Sequence, residues 1–307
     1  MKQHLLFRMG IDNDLPFPVR YYTNFAIVAE ISFGVAASVL SALVIFAYIK
    51  LKGWRKPASL IFMNLLMIDF INGLNGPLQA AYVDELVKKK TNKTLFRTVF
   101  FIQALVLWVS LWVIFLLNLT RLIAIVLPFR YNVIVTTQAV SWALAAVWAT
   151  GFINCFLKRF VYALAEFKYY VAGVMIHLIL DVMIFGLSLY TIAALRNQGQ
   201  ASPDRVNATK TVVVVSLVFS FTYGYYVYVN LVWMVPHLCY RTTNPWLQLT
   251  ACGKWSLSLA HILLLFNSCF NGLCIANQPR IKRMFGLMFA RGDEGKRLLL
   301  NARQEIS

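Results

Sequence analysis

Seven stretches of the chain stay apolar over the roughly 20 residues that a helix needs to cross a bilayer. They run over about 22–49, 58–83, 98–127, 138–157, 169–195, 209–236 and 247–276. Backbone N–H and C=O groups facing lipid must pair within the spanning structure, which leaves helices or closed barrels. Runs this long and this uniformly apolar do not alternate as barrel strands do. Polar segments divide them: Lys50 to Pro57, Asp84 to Arg97, Pro128 to Gln138, Lys158 to Lys168, Arg196 to Lys210 and His237 to Pro245. The expected fold is all-α, a seven-helix transmembrane bundle over 22–276 in one membrane domain. A short tail over 1–21 precedes it and a tail over 277–307 follows. No internal repeat or low-complexity tract is visible.

Composition removes the main competitors. The chain is 60% hydrophobic and 13% charged, whereas soluble domains run at about 45–50% apolar and about 25% charged. A water-soluble core could not hide that apolar content at this size. The net charge of +17 would suggest a nucleic-acid binder in a soluble chain. In a chain this apolar it belongs to loops at a lipid bilayer, and no nucleic-acid partner is expected. No metal cluster, Gly-rich phosphate loop or nucleophile elbow is present, so an enzyme is not expected.

Charge beside the first span sets the orientation. Arg20 precedes it alone, while Lys50, Lys52, Arg55 and Lys56 follow it. The positive-inside rule then places the N-terminus outside and, after seven crossings, the C-terminus inside, in a multi-pass plasma-membrane protein. The loop with Lys88, Lys89, Lys90, Lys93 and Arg97 is also basic but would lie outside. It holds the Asn92-Lys93-Thr94 sequon, a candidate for glycosylation at Asn92. Cys239 and Cys252 flank the third outer loop, in an oxidising compartment, and form a candidate disulfide. Cys155, Cys269 and Cys274 fall inside spans and read as reduced small hydrophobes.

Ionisable groups inside a span are costly and mark function by default. Here they are Glu30, Asp69, Arg121, His177, Asp181 and His261. Counting along the helices puts Glu30 and His261 at similar depth, as a candidate pair between the first and seventh spans. His177 and Asp181 are i, i+4 and share a face, either as a local pair or as a polar anchor for a ligand.

Several of these residues sit in recognisable runs. The second span contains Asn64-Leu65-Leu66-Met67-Ile68-Asp69. The third ends Thr120-Arg121-Leu122-Ile123-Ala124-Ile125-Val126-Leu127-Pro128-Phe129-Arg130-Tyr131. Trp148 stands in the fourth, and the seventh reads Asn267-Ser268-Cys269-Phe270-Asn271-Gly272-Leu273-Cys274-Ile275. In order and position these resemble the Asn-Leu-x-x-x-Asp, Asp-Arg-Tyr, fourth-helix Trp and Asn-Pro-x-x-Tyr segments of rhodopsin-like G-protein-coupled receptors. Gln278 to Phe285 is similar to that family's short amphipathic helix after the seventh span. The departures make it a divergent member. Thr120 replaces the acid before Arg121, Gly272 the last-helix Pro and Ile275 its Tyr. Ser41 replaces the first-helix Asn, and Val182 the fifth-helix Pro. Phe219 with Thr222-Tyr223-Gly224-Tyr225 stands where Cys-Trp-x-Pro is usual, and the third helix has no leading Cys.

The resemblance implies a receptor for a small extracellular ligand that activates a heterotrimeric G protein. It implies no organic cofactor, but a sodium ion held by Asp69, Ser110, Asn267, Ser268 and Asn271. Arg121, with Thr120, Pro128 and Tyr190, would meet the G protein. The missing acid beside Arg121 implies a weak inactive-state restraint and raised basal signalling. Gln103 stands where amine receptors place a carboxylate, and a neutral amide there argues against a protonated amine ligand. Leu107, Tyr223, Tyr226, His261 and Glu30 complete the expected pocket. Short loops and an apolar pocket suit an odorant or other chemosensory cue, although the odorant-receptor signatures are absent. A seven-helix transporter or channel, which would show interrupted helices near Gly73, Gly76 and Pro77, and a non-signalling decoy receptor stay open.

Overall fold

The computed structural model describes residues 17–50, 56–87, 92–164, 167–197, 203–234, 256–277 and Ile281. Seven long helices carry it: α1 (Phe17–Lys50), α2 (Pro57–Val87), α3 (Lys93–Val126), α4 (Thr137–Leu164), α5 (Phe167–Asn197), α6 (Pro203–Met234) and α7 (Ser256–Ala276). Each is long and apolar enough to cross a membrane, and no strand occurs among the described residues. A single helical turn, Tyr131–Ile134, lies between α3 and α4. The proposed disulfide cysteines Cys239 and Cys252 and the expected amphipathic helix, apart from Ile281, lie outside the described residues.

The helices form a closed ring with α3 at its centre. α1 packs on α2 and α7, α5 on α6, and α6 on α7, while α3 touches α2, α4, α5 and α6. The central helix is accordingly buried along its length, with Val109, Leu111, Val113, Ile114 and Leu117 shut off from solvent. The outer helices turn apolar faces outward, among them Phe25 and Val28 on α1, Trp142 and Leu157 on α4, and Ile179 and Val182 on α5. A belt of this kind would drive aggregation in water. It is the surface a bilayer solvates.

α1 and α2 approach until their backbones touch. A Cβ added at Gly34 would lie 2.7 Å from the carbonyl oxygen of Gly73, and one at Gly76 would lie 2.6 Å from that of Glu30. Small residues permit this in membranes, where close van der Waals contact replaces the hydrophobic drive between helices. α2 runs unbroken through Pro77. The break near Gly73, Gly76 and Pro77 that a transporter would call for is absent, and the glycines pack against α1.

Candidate functional site

One face of α2 carries the polar interior. Asp69, Asn72, Asn75 and Gln79 follow at spacings of three, three and four residues, so all four point the same way along about 15 Å of helix. Each is buried, and each meets a neighbouring helix. At the deep end, Asn271 Nδ2 donates to Asp69 Oδ2 at 3.1 Å, and the Ser268 hydroxyl stands within reach of the same carboxylate. One turn on, Asn72 Nδ2 donates to Ser268 Oγ at 3.0 Å. At the far end, Asn75 Nδ2 donates to Gln103 Oε1 on α3 at 3.1 Å. Gln79 bonds the His261 ring on α7.

The deep group fits a hard cation. Asn271, beside Asp69, keeps its amide oxygen buried without a donor among the described residues, as does Asn267, and such acceptor oxygens suit a hard cation. Ser110 is buried on α3 but bonds none of this group among the described residues. No cluster of three or more His, Cys, Asp or Glu side chains exists among the described residues. The chemistry here is therefore that of one carboxylate and neutral oxygens, not of a softer metal.

Toward the other end of the molecule, Arg121 is half-buried near Tyr131 and Tyr48, and its Nε has no hydrogen-bond partner among the described residues. Thr120 turns its hydroxyl back to the Leu117 carbonyl at 2.9 Å, so it offers Arg121 nothing. One turn away lies a polar clasp that charge-based reading missed. Asn118 Nδ2 on α3 donates to Ser216 Oγ on α6 at 2.7 Å. Ser188 Oγ on α5 donates to Asn118 Oδ1 at 3.1 Å. Three helices meet there through neutral groups. Tyr190 does not join them: it is 57% exposed on the outside of α5, while Ile275 on α7 is fully buried. Pro128 sits in the exposed turn after α3, and next to it Phe129 is 98% exposed.

The expected ligand pocket is partly assembled. Gln103, Leu107, Tyr223 and His261 are buried. Tyr226 stands between two of them, with ring centroids 6.1 Å from Tyr223 and 6.0 Å from His261. The Glu30–His261 pair is not formed. His261 bonds Gln79 instead, and both carboxylate oxygens of Glu30 are buried without a partner among the described residues. Equal depth along two helices did not place the side chains on facing sides. Nor do His177 and Asp181 turn toward each other: the His177 ring lies against Trp108 and Tyr223, and Asp181 faces α6. Asn92 is exposed and caps α3, accepting from the Thr94 and Leu95 amides at 3.1 and 3.2 Å. Trp148 Nε1 donates to Asn64 Oδ1 at 3.1 Å, which ties α4 to α2 through two of the motif residues. Cys155 and Cys269 turn their thiols to the Phe101 and Phe33 carbonyls.

Asn72, Asn75, Gln79, Asn118, Ser188 and Ser216 are the site residues that the sequence reading passed over. Their signal was present as neutral amides and hydroxyls within apolar spans, at helical spacing. In comparisons with known proteins, residues 41–176 match the model of the seven-transmembrane receptors of the rhodopsin family. No curated protein matches the chain. The matched stretch runs from α1 into α5 and contains the α2 stripe, Arg121 and the turn after α3. Over that stretch, somewhat under half of the chain, the protein is similar to the seven-transmembrane receptors of the rhodopsin family, and its seven membrane-crossing helices agree with that architecture.

Proposed function

We propose that the protein is a plasma-membrane receptor, with its N-terminus outside and C-terminus inside. It binds a small extracellular ligand in the outer half of the bundle and activates a heterotrimeric G protein at the inner face. The observation that carries this reading is the α2 stripe. Four buried polar side chains on one helix face run from the Gln103–His261 level to the Asp69–Asn271 group. Apolar packing alone gives no reason to hold such a line inside a membrane. A bound ligand that displaces Gln79 or Gln103 would change hydrogen bonding along the stripe and at the sodium-type site. From there the Asn118 clasp and Arg121 lie toward the cytoplasm. Sodium held by Asp69, Asn267 and Asn271 would favour the resting arrangement. The largely apolar and aromatic lining suits a small cue of the chemosensory kind.

The test is ligand-dependent recruitment in cells, with a small-molecule panel read against each of the four G-protein classes. At least one compound should recruit one class, and R121A should abolish recruitment without loss of surface expression. Solute flux with no recruitment would instead support the transporter reading. Ligand binding with no recruitment would support the decoy reading, which the Thr120, Gly272 and Ile275 departures motivate.

A further inference from the structure

Asp181, on α5, has no role in the scheme above. It is 7% exposed, and its Oδ1 has no hydrogen-bond partner among the described residues. The carboxylate faces α6. A Cβ added at Gly224 would lie 3.4 Å from Oδ2, so the carboxylate packs against the glycine with no side chain between them. Ser220 stands against it without a well-formed hydrogen bond, and the Tyr223 ring lies alongside. The hydroxyls of Ser220 and Tyr223 are also buried, with no hydrogen-bond partner among the described residues. An ionised carboxylate in this setting needs a counter-charge.

Along the described helices that line the site, no Lys or Arg stands close enough to supply that counter-charge. Along the helices that line the site, the cations closest to Asp181, Tyr223 or Trp108 are Arg97, Arg121, Lys168, Arg196 and Lys210. Each is at least 11 residues along its helix from those three, or about 16 Å. What the chain does supply is aromatic surface. His177 lies with ring centroids 5.7 Å from Trp108 and 6.0 Å from Tyr223, and Phe219 stacks on Tyr223 at 5.0 Å. Ring faces around a carboxylate suit an organic cation. Asp181 lies eight residues in from Gly173, where the α5 span begins, and Tyr223 eight residues before Leu231, where the α6 span ends. At about 12 Å, that depth suits a small molecule.

We propose that Asp181, with Tyr223 and His177, anchors a ligand that carries a protonated amine on a small apolar body. The α3 position at Gln103 holds an amide already bonded to Asn75, so the acidic anchor comes from α5. This rests on the receptor reading for a pocket within the bundle, but not on G-protein coupling.

The test uses full-length receptor in lipid nanodiscs and reads thermal unfolding. The probes are 2-phenylethylamine and cyclohexylamine at millimolar concentration, each set against the alcohol of the same skeleton. At least one amine should raise Tm by several degrees while its alcohol does not, and D181N should abolish the shift. G224V covers the carboxylate without removing it, and should raise the half-maximal amine concentration at least tenfold. It decides the matter if D181N does not fold. The proposal is overturned if neither amine shifts Tm, if the alcohols match the amines, or if the shift survives both variants. It is also overturned if E30Q rather than D181N removes the shift, which would move the anchor to α1. Amine binding without G-protein recruitment would sink the coupling reading and leave this one standing.

Discussion

Asp69 is the one carboxylate in the mid-bundle group, and the Asn271 amide oxygen beside it can accept but not donate. If a sodium ion belongs there, NaCl should raise the Tm of purified receptor by a few degrees over N-methylglucamine chloride, and D69N should erase the difference. A difference that survives D69N would place the ion elsewhere. Asn118 makes a second residue-level case. Removing its side chain leaves the Ser216 and Ser188 hydroxyls to re-pair within their own helices, at a cost of about 1–3 kcal/mol for a buried network. N118A should therefore raise basal G-protein recruitment, corrected for surface expression, above that of the unmodified chain. T120D, which places a carboxylate beside Arg121, should lower it. The grouping of Asp69 with Ser268 and Asn271 was legible in advance, but the bonding of Asn118 was not. Depth can be counted along a helix, but the direction a side chain faces depends on how the helices are rotated. That is why His261 pairs with Gln79 and not with Glu30.

Helix ends were read less well than helix interiors. α1 begins at Phe17, inside the stretch expected to be a tail, because Pro18 in a first turn has no hydrogen bond to lose. α4 continues to Leu164, past Lys158 and Arg159. The apolar run measures the hydrocarbon thickness, and a helix can outlast it where long basic side chains reach the interface. The N-terminus of α3 offers a clean test, because Asn92 serves both as cap and as sequon. N92S keeps a capping oxygen and removes the glycan acceptor, so it should lose the mobility shift on peptide N-glycosidase treatment and keep its Tm. N92A should lose both, with about 1 kcal/mol less helix stability. No shift in the unmodified chain would argue against an outer location for this loop. Between α1 and α2, G73A would bring a methyl within 2.6 Å of the Gly34 carbonyl oxygen. It should lower Tm through overpacking worth about 1–3 kcal/mol.

The seven-span fold was legible in full because lipid makes hydropathy decisive. The resemblance to rhodopsin-family receptors was legible because Asp69, the Arg121 to Tyr131 run, Trp148 and the Asn267 to Asn271 run occur in order. The neutral polar network was not, because an Asn in a span reads the same whether it bonds its own backbone or a neighbouring helix. At this scale the exposed Phe129 carries a prediction: an apolar ring in a polar turn is a contact surface awaiting a partner. F129A should cut maximal recruitment by half or more and leave ligand-induced stabilisation unchanged, as measured on the same preparations. The glycine contacts between α1 and α2 have one more consequence. Two rods fused along their spines cannot slide past each other, so that side of the barrel behaves as a stator. Movement then falls to the side where hydroxyls can swap partners at little cost, and a rigid clamp across α1 and α2 should leave signalling intact.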